Sequence, residues 1–320
     1  MLKFIDNYLL KNITTLSIGG PAKKFAAVKT QEELVQAIQY AKENNLDYLI
    51  IGGGSNLLIA DEGVNALVIK NEIVGISASG ESKPTPEVPV KVKVKSGTPL
   101  QALVDYAISH QLAGLQKLAG IPGTVGGAIY GNAGAYGQAI SDHLITVTTL
   151  NPNNLTIQQF NNPECRFGYR DSIFKKTHHF ILEVEFQLTA GDTIELKKEA
   201  EQTLAARLIK YPKGIKCPGS FFKNLIASDL PAEILARIPA GKIVYGKIPA
   251  GTLLEIVGAK DQSVDGIEIA PYHANLFLNT GTGTAKAFYT LAKEYAKKVK
   301  EKFGVILEPE VQLINLPPLL

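Results

Sequence analysis

The chain lacks the features that mark secreted, zinc-binding and membrane proteins. It contains only two cysteines, Cys165 and Cys217, in 320 residues, which excludes a disulfide framework and a zinc site built from Cys-x-x-Cys pairs. No apolar run approaches the roughly 20 residues that span a bilayer, and charged and amide residues interrupt residues 1–7. We therefore expect a cytoplasmic protein that has no secretion signal, no membrane contact and no bound metal.

Basic residues only slightly outnumber acidic residues in the chain. The 33 basic and 30 acidic residues leave a net charge of +3, which is too even to indicate a nucleic-acid surface. We therefore expect small-molecule partners and no nucleic acid, and a monomer or weak oligomer. The length predicts two or three domains with real hydrophobic cores.

Periodic patterns predict an α+β protein. A capping box at Thr30 begins a helix to about Asn45, and a buried strand over residues 48–51 follows it. Apolar and polar residues alternate over 90–95 and 180–188, which favours antiparallel strands with one wet face. Further predicted elements are a loop over residues 81–89, a helix over 192–211, a helix from Thr284 to Gly304, and extended chain over 305–311.

A first glycine cluster follows the predicted strand over residues 48–51. It comprises Gly52, Gly53, Gly54, Ser55 and Asn56. It lacks the G-x-G-x-x-G spacing of dinucleotide folds and the Gly-Lys-Ser/Thr of a P-loop. Two interpretations stay open from these residues alone: a tight turn, or a backbone nest for a phosphate.

A second cluster places seven glycines within 18 residues, from Gly120 to Gly137. Gly123, Gly127 and Gly131 recur every fourth residue, so on a helix they would clear one face, and Pro122 would suit its first position. Close packing between two elements is one explanation. The other is an extended, diphosphate-bearing ligand such as FAD, which needs hydrogen-bond donors at several places and close backbone approach.

Several motifs, taken together and in order, resemble the UDP-N-acetylenolpyruvoylglucosamine reductase family. They span nearly the whole chain: residues 12–22, 52–58, 119–137, 167–172, 219–224 and 307–311. The most specific block runs from Ala119 to Ala128 and ends with the segment from Asn132 to Gly137. Alone, each of the last three motifs would suit a surface turn or a strand end.

The resemblance implies a peripheral FAD-binding fold of the PCMH/VAO type, with two α+β subdomains and a C-terminal α+β substrate-binding domain. The expected divisions are residues 1–70, 71–211 and 212–304, with the strand over 305–315 returning near the first subdomain. It also implies non-covalent FAD, NADPH as co-substrate, and reduction of the enolpyruvyl ether of a UDP-sugar to UDP-N-acetylmuramate in peptidoglycan precursor synthesis. The residues implied to hold FAD are Gly52, Gly53, Gly54, Ser55, Asn56, Gly120, Pro122, Gly123, Thr124, Gly126, Gly127, Ala128, Asn132 and Gly134.

The same resemblance assigns the catalytic roles to Arg170, Ser220 and Glu310. A guanidinium suits a carboxylate that gains negative charge, and Glu310 could stabilise an enolate if it carries or shares a proton. Ser220 is the implied proton donor to carbon. From the residues alone, Arg170 could instead pair with Asp171 on the surface, and Ser220 could be a helix cap.

Weaker candidates for contacts to the sugar nucleotide are Tyr169, Lys223, Asn224 and His273, and each could equally be structural. Only seven residues separate Ser172 from the strand at Phe180, so the chain resembles the short form of the family, without a substrate-covering tyrosine insertion. Leu225 replaces a common proline, and the region 226–249 is longer than expected.

Two rival functions remain: another flavin oxidoreductase acting on a sugar or hydroxy acid, and a non-catalytic nucleotide-binding protein. Because no histidine precedes His110, covalent flavin attachment at the first cluster is excluded.

Overall fold

The computed structural model describes residues 2–79, 85 and 88–320. The loop predicted over residues 81–89 falls mostly outside this described part. The α-helices are α1 (Gln31–Glu43), α2 (Leu100–Ser109), α3 (Val125–Tyr130), α4 (Phe174–Thr177), α5 (Thr193–Lys210), α6 (Ala232–Leu235), α7 (Ala250–Ile256) and α8 (Ala285–Phe303). Short 3₁₀ turns lie at Leu10–Ile13, Gln116–Leu118, Ile140–His143, Pro163–Cys165 and Ala227–Asp229.

The strands are mostly short, apart from four that have seven or more residues: β2, β5, β11 and β13. In chain order they are β1 (Ile5–Leu9), β2 (Pro21–Val28), β3 (Asp47–Ile51), β4 (Leu57–Ile59), β5 (Val64–Asn71), β6 (Ile76–Ser79), β7 (Val90–Lys95), β8 (Leu112–Ala113), β9 (Gly134–Ala135), β10 (Gln138–Ala139), β11 (Leu144–Leu150), β12 (Ile157–Asn161), β13 (Phe180–Ala190), β14 (Leu225–Ile226), β15 (Lys247–Ile248), β16 (Ser263–Val264), β17 (Ile267–Ile269), β18 (Phe277–Asn279) and β19 (Gln312–Ile314).

Local signals explain where the long helices begin and end. The Thr30 side chain accepts a hydrogen bond from the Glu33 N–H at 3.2 Å and starts α1. The reciprocal half of the predicted capping box is absent, because the Glu33 carboxylate accepts from the N–H of Lys29 at 2.6 Å instead. Thr284 caps α8, and Gly304 ends it in the left-handed region with φ 76°.

The chain divides into two compact units. Unit 1 comprises residues 1–6, 23–53 and 65–211. Its main sheet has the order β12-β11-β13-β7-β6, with β8 added to β13, and all its recorded pairings are antiparallel. Val92, Val94, Val184 and Phe186 lie in its hydrophobic core, so the antiparallel strands predicted from the alternating pattern are confirmed.

A second sheet has the order β1-β2-β5-β3, in which β3 runs parallel to β5. Helix α1 contributes Leu34, Ala37 and Ile38 to the core cluster beside this sheet. The first glycine cluster begins where β3 ends, so the position of that strand fixes the position of Gly52.

Unit 2 comprises residues 7–22, 54–64 and 212–320. It contains the three-stranded sheet β16-β17-β18, the hairpin β14-β15, and the parallel pair β4-β19. The α8 side chains Phe288, Leu291, Tyr295 and Val299 are buried in its core. After α8, β19 lies within the strand predicted over residues 305–315, and before it Pro309 makes one isolated bridge, with Phe222. The three domain limits predicted from the sequence stay a prediction.

Among the described residues, no helix is both long enough and apolar enough to cross a membrane.

Candidate active site

The two glycine clusters meet inside unit 1. A Cβ added to Gly53 would lie 2.6 Å from the Cα of Gly123, and one added to Gly52 would collide with the Thr124 hydroxyl. Backbone therefore packs directly on backbone here, which only glycine allows. Residues 52–53 and 123–124, predicted from sequence to serve one ligand, lie side by side.

Helix α3 differs from the prediction for the second cluster. It has six residues, and Thr124 is its N-cap, accepting from the Gly127 N–H at 3.4 Å. Pro122 lies outside the helix, so its predicted place at the first helical position is wrong. Gly123 also lies outside the helix. Its φ of 112° belongs to a turn whose backbone conformation residues with a side chain rarely adopt. The predicted three-glycine helix face is therefore wrong.

The glycines of α3 differ in what surrounds them. A Cβ on Gly126 would lie 2.8 Å from the Ser96 Cβ, so internal packing requires this glycine. A Cβ on Gly127 would meet only Thr124 Oγ1 at 3.6 Å, and one on Gly131 only the Gly127 carbonyl at 3.6 Å. Both are ordinary contacts, so protein packing does not demand glycine at these positions. An open backbone of this kind fits a bound ligand such as FAD.

Asn132 gives a second observation that fits a bound group. It adopts a left-handed conformation with φ 43°, and its Nδ2 donates to the Gly168 carbonyl at 2.9 Å. Its Oδ1 is buried and has no hydrogen-bond partner. Because a buried acceptor without a partner costs free energy, a donor supplied by a ligand would relieve it. The residues present thus fit the flavin that the sequence suggests.

Arg170 is oriented by the second glycine cluster. Its Nη2 donates to the Gly134 carbonyl at 2.9 Å, and its guanidinium lies 5.3 Å from the Tyr169 ring centroid. Asp171 lies 3.9 Å from the Lys176 ammonium instead. The carbonyl oxygens of Asn132 and Gly134 orient the guanidinium, whose planar fork of donors suits a carboxylate.

Other side chains fix the motif at residues 167–172 to the second glycine cluster. The buried Ser172 hydroxyl donates to the Tyr130 carbonyl at 2.8 Å, and Lys175 donates to the Arg170 carbonyl at 2.6 Å. Burial, followed by the nearby charge of Asp171, raises the pKa of Tyr130, so this phenol stays neutral. The motif at 167–172 is thereby fixed to the glycine cluster.

Arg207 is a candidate that the sequence reading missed. It lies on α5, its Nε is buried without a hydrogen-bond partner, and burial is the main effect that lowers the pKa of its guanidinium. A Cβ on Gly120 would lie 3.3 Å from the Arg207 Cδ. A poorly solvated cation beside the glycine cluster suits an anionic ligand. In sequence it looks like one more charged residue of an exposed helix.

In unit 2, the rest of the first glycine cluster has a different environment. Gly54 has φ 62°, and a Cβ there would collide with the Ile13 carbonyl, so both conformation and space require glycine. Its own carbonyl accepts from the Thr15 N–H at 3.1 Å. The Asn56 Nδ2 donates to the Glu310 carbonyl at 3.0 Å, so the end of this cluster is fixed to a predicted catalytic residue.

Ser220 lies in an extended segment and caps no helix. Gly219 precedes it with φ 92°, and Ser220 forms an isolated antiparallel bridge with Leu276. The following residues, Phe221 and Phe222, are buried, and their rings pack edge to face with centroids 4.7 Å apart. Two buried rings thus anchor the half-buried serine.

Glu310 lies beside this segment within unit 2. Its N–H donates to the Phe221 carbonyl at 2.7 Å, and the Lys223 N–H donates to the Glu308 carbonyl at 2.9 Å. Phe222 and Pro309 form an isolated bridge between them. The two predicted catalytic motifs of unit 2 are therefore adjacent extended segments.

The weaker substrate candidates all make internal contacts. The Lys223 ammonium lies 3.1 Å from the Glu308 carboxylate, and the Asn224 Oδ1 accepts from the Ala250 N–H at 3.2 Å, at the start of α7. His273 Nδ1 accepts from the Asn275 N–H at 3.2 Å. These contacts give each residue a structural role, and their substrate contacts stay predictions. Across the described residues, no group of three or more His, Cys, Asp or Glu side chains could hold a metal ion.

Comparisons with known proteins agree with this arrangement. Residues 22–158 match the model of an FAD binding domain, and residues 211–314 match that of the UDP-N-acetylenolpyruvoylglucosamine reductase C-terminal domain. A UDP-N-acetylenolpyruvoylglucosamine reductase of Solibacter usitatus is 39% identical over 303 residues, which cover 94% of each chain. One of Caldanaerobacter subterraneus is 32% identical, over 98% of this chain and 94% of the relative.

The crystal structure of UDP-N-acetylenolpyruvylglucosamine reductase from Thermus caldophilus superposes with a TM-score of 0.72 at 30% identity, covering 98% of this chain and 99% of that one. The fold is thus the expected FAD-binding fold of the PCMH type. Only residues 173–179 connect Ser172 to β13, and they contain the short helix α4, as expected for the short form. The chain is therefore a flavoprotein oxidoreductase that belongs to the UDP-N-acetylenolpyruvoylglucosamine reductase family.

Proposed function

We propose that this chain reduces the enolpyruvyl ether of UDP-N-acetylglucosamine to UDP-N-acetylmuramate in the cytoplasm, with NADPH as the hydride donor and Arg170, Ser220 and Glu310 as catalytic residues. The names of its relatives support the substrate and the reaction. The observation that carries the residue roles is the hydrogen bond of 2.7 Å from the Glu310 N–H to the Phe221 carbonyl. It makes the main chain at Glu310 a neighbour of the segment that bears Ser220.

FAD, when bound, supplies hydride transfer from NADPH to the terminal vinyl carbon of the substrate. The residues proposed to hold it in unit 1 are those of the glycine clusters, where Gly127 and Gly131 leave the backbone open and Asn132 offers a buried oxygen without a partner. Arg207 would add positive charge for an anionic group. Gly54, Ser55 and Asn56, which belong to unit 2, complete the proposed set.

Arg170 is proposed to bind the substrate carboxylate. Adding hydride at the terminal carbon moves electron density toward this carboxylate, so the binding group must tolerate growing negative charge. A guanidinium does so through charge-assisted hydrogen bonds in a planar fork. The Gly134 carbonyl holds the Arg170 side chain in place before the substrate arrives.

Ser220 is proposed to donate the proton to the carbon next to the carboxylate, which completes saturation of the double bond. Solvent then returns a proton to the serine oxygen. An aliphatic hydroxyl is a weak acid, so its donation requires an environment that stabilises the oxygen left behind. Glu310 is proposed to stabilise the enolate, in a form that carries or shares a proton.

Tyr169, Lys223, Asn224 and His273 are proposed to contact the sugar nucleotide. For Lys223 this requires competition with Glu308, its ion-pair partner, whose carboxylate is mostly exposed. Exposed ion pairs contribute about 0–1 kcal/mol, so a substrate phosphate could replace Glu308 at little cost.

Spectroscopy of the purified protein tests the proposed function. We expect a yellow protein that bleaches under anaerobic conditions when NADPH is added. Adding the UDP-N-acetylglucosamine enolpyruvyl ether should then restore the colour and yield UDP-N-acetylmuramate. Two results would contradict the proposal: bleaching of the oxidised protein by a sugar alcohol or hydroxy acid, and failure of the enolpyruvyl ether to recolour the protein that NADPH has reduced.

A further inference from the structure

We propose that Asn275 and Asn56 are positioning residues, whose side-chain amides set the placement of Ser220 relative to Glu310. This inference rests on the proposed roles of those two residues. Neither amide is part of the proton transfer itself. Each holds the main chain of a segment that bears one of the two groups, and both act within unit 2.

Asn275 holds the segment that bears Ser220. It is 2% exposed, and its side chain bonds both backbone polar groups of Phe222: Oδ1 accepts from the Phe222 N–H at 2.8 Å, and Nδ2 donates to the Phe222 carbonyl at 2.8 Å. Its own carbonyl accepts from the Phe221 N–H at 3.0 Å. Three hydrogen bonds from one residue thus fix the two residues after Ser220.

Asn56 holds the segment that bears Glu310. Its Nδ2 donates to the Glu310 carbonyl at 3.0 Å, and its carbonyl accepts from the Gln312 N–H at 3.0 Å. The Glu310 N–H meanwhile donates to Phe221 at 2.7 Å. The main chain at Glu310 is therefore tied on one side to Asn56 and on the other to the segment that Asn275 fixes.

An amide suits this task for a chemical reason. It offers a donor and an acceptor on one rigid plane, so it can pair with the N–H and the carbonyl of one residue as a neighbouring strand would. It also stays neutral at every pH at which the enzyme works, so it adds no charge beside the proton donor. Because no other short side chain combines these properties, substitution should shift the segment. A shift of about 1 Å at a reacting group can cost about 100-fold in rate.

The test compares Asn275→Ala with Asn279→Ala. Asn279 is the control, since it is 6% exposed and its buried amide is also hydrogen-bonded: it donates to the carbonyls of Leu16 at 3.0 Å and Ser17 at 3.5 Å, and it accepts from the N–H groups of Gly281 at 2.9 Å and Gly283 at 3.0 Å. Both variants should lower the unfolding temperature. Only Asn275→Ala should speed hydrogen exchange at the Phe222 amide and slow recolouring by the enolpyruvyl substrate, by about 10- to 100-fold, with bleaching by NADPH unchanged.

A double-mutant cycle separates positioning from general damage. If Asn275 acts through Ser220, Asn275→Ala should add less than about 3-fold to the loss already caused by Ser220→Ala, because the group it positions is gone. Independent, multiplicative losses would overturn the inference. So would an equal effect of Asn279→Ala on recolouring.

Asn56→Ala provides a second route if Asn275→Ala does not fold. Because Asn56 is also proposed to hold FAD, this variant is measured at saturating FAD, and its loss of recolouring rate should show the same coupling with Glu310→Gln. Full additivity there would contradict the inference in the same way. Failure of the proposed function is distinguishable, because Ser220→Ala alone would then leave recolouring fast. In that case the inference falls with the function on which it rests.

Discussion

Gly127→Ala should stabilise the protein without cofactor and weaken FAD binding. Gly127 lies in the first turn of α3, is exposed, and an added Cβ would meet only Thr124 Oγ1 at 3.6 Å. Its φ is not in the left-handed region, so alanine adopts the same backbone without strain. The protein by itself therefore gives no reason for glycine at this position.

The two effects have opposite signs and different sizes. Alanine in place of glycine in a helix gains up to about 1 kcal/mol, and we expect about 0.5 kcal/mol in a first turn. That corresponds to a rise of about 1–2 °C in Tm. A methyl group placed in a closely packed contact costs about 1–3 kcal/mol, which would raise the Kd of FAD about 5- to 150-fold.

The measurement is thermal unfolding of the protein without cofactor, combined with FAD titration followed by flavin fluorescence. Gly126→Ala is the matched control one residue earlier, because its Cβ would lie 2.8 Å from the Ser96 Cβ. That change should destabilise the protein without cofactor by about 1–3 kcal/mol. If Gly127→Ala leaves the FAD affinity unchanged, the open backbone at α3 does not contact the flavin and the reasoning is wrong.

Three further predictions concern titratable groups whose pKa is shifted by full or partial burial. Arg207→Met should raise the unfolding temperature, because it removes a poorly solvated cation whose Nε has no hydrogen-bond partner. It should also weaken binding of FAD or of the UDP-sugar about 10-fold. Unchanged affinity for both ligands would contradict the proposal that Arg207 binds an anionic group. Burial lowers the pKa of His179 from its ordinary 6.5, so the unfolded chain binds this proton more readily and stability falls as the pH drops below about 6.5. His179→Phe should flatten that fall in denaturant titrations between about pH 7 and pH 5, and an unchanged slope would rule His179 out as a cause. Burial, aided by the charge of Glu164, raises the pKa of Cys165 to about 12. Mass spectrometry should therefore find this thiol unmodified by a thiol reagent at about pH 8 until the chain unfolds. Rapid labelling of the native protein would contradict the burial of Cys165.

Patterns that depend on neighbouring residues predicted much of the fold. Apolar and polar alternation located β7 and β13, because a strand with one wet face shows a period of two. Thr30 and Thr284 located the starts of α1 and α8, since an N-cap acts on the N–H groups of the next turn. These signals are local, so they survive without knowledge of the tertiary structure.

Glycine proved ambiguous, because one residue type serves three purposes. Gly123 provides a left-handed turn, Gly53 and Gly126 permit close packing, and Gly127 leaves open space. Spacing alone cannot separate these roles, which explains why the predicted helical face from Gly123 to Gly131 was wrong. The assignment of both clusters to a flavin depended on the resemblance of the whole chain.

Long-range contacts were beyond the sequence. Asn56 and Glu310 are 254 residues apart along the chain, and Asn275 and Phe222 are 53 apart. Nothing in the local pattern of an asparagine indicates that its amide pairs with a distant peptide. The burial of Arg207 was equally hidden, because the surroundings of a charged helical residue depend on the tertiary packing.

The most direct measurement is stopped-flow absorbance of the two half-reactions in Ser220→Ala, with the unsubstituted protein as control. If Ser220 donates the proton to carbon, bleaching by NADPH should proceed at the unsubstituted rate, while recolouring by the enolpyruvyl substrate slows by about 100-fold or more. Recolouring at the unsubstituted rate, or an equal loss in both halves, would contradict the assignment of Ser220 as the acid.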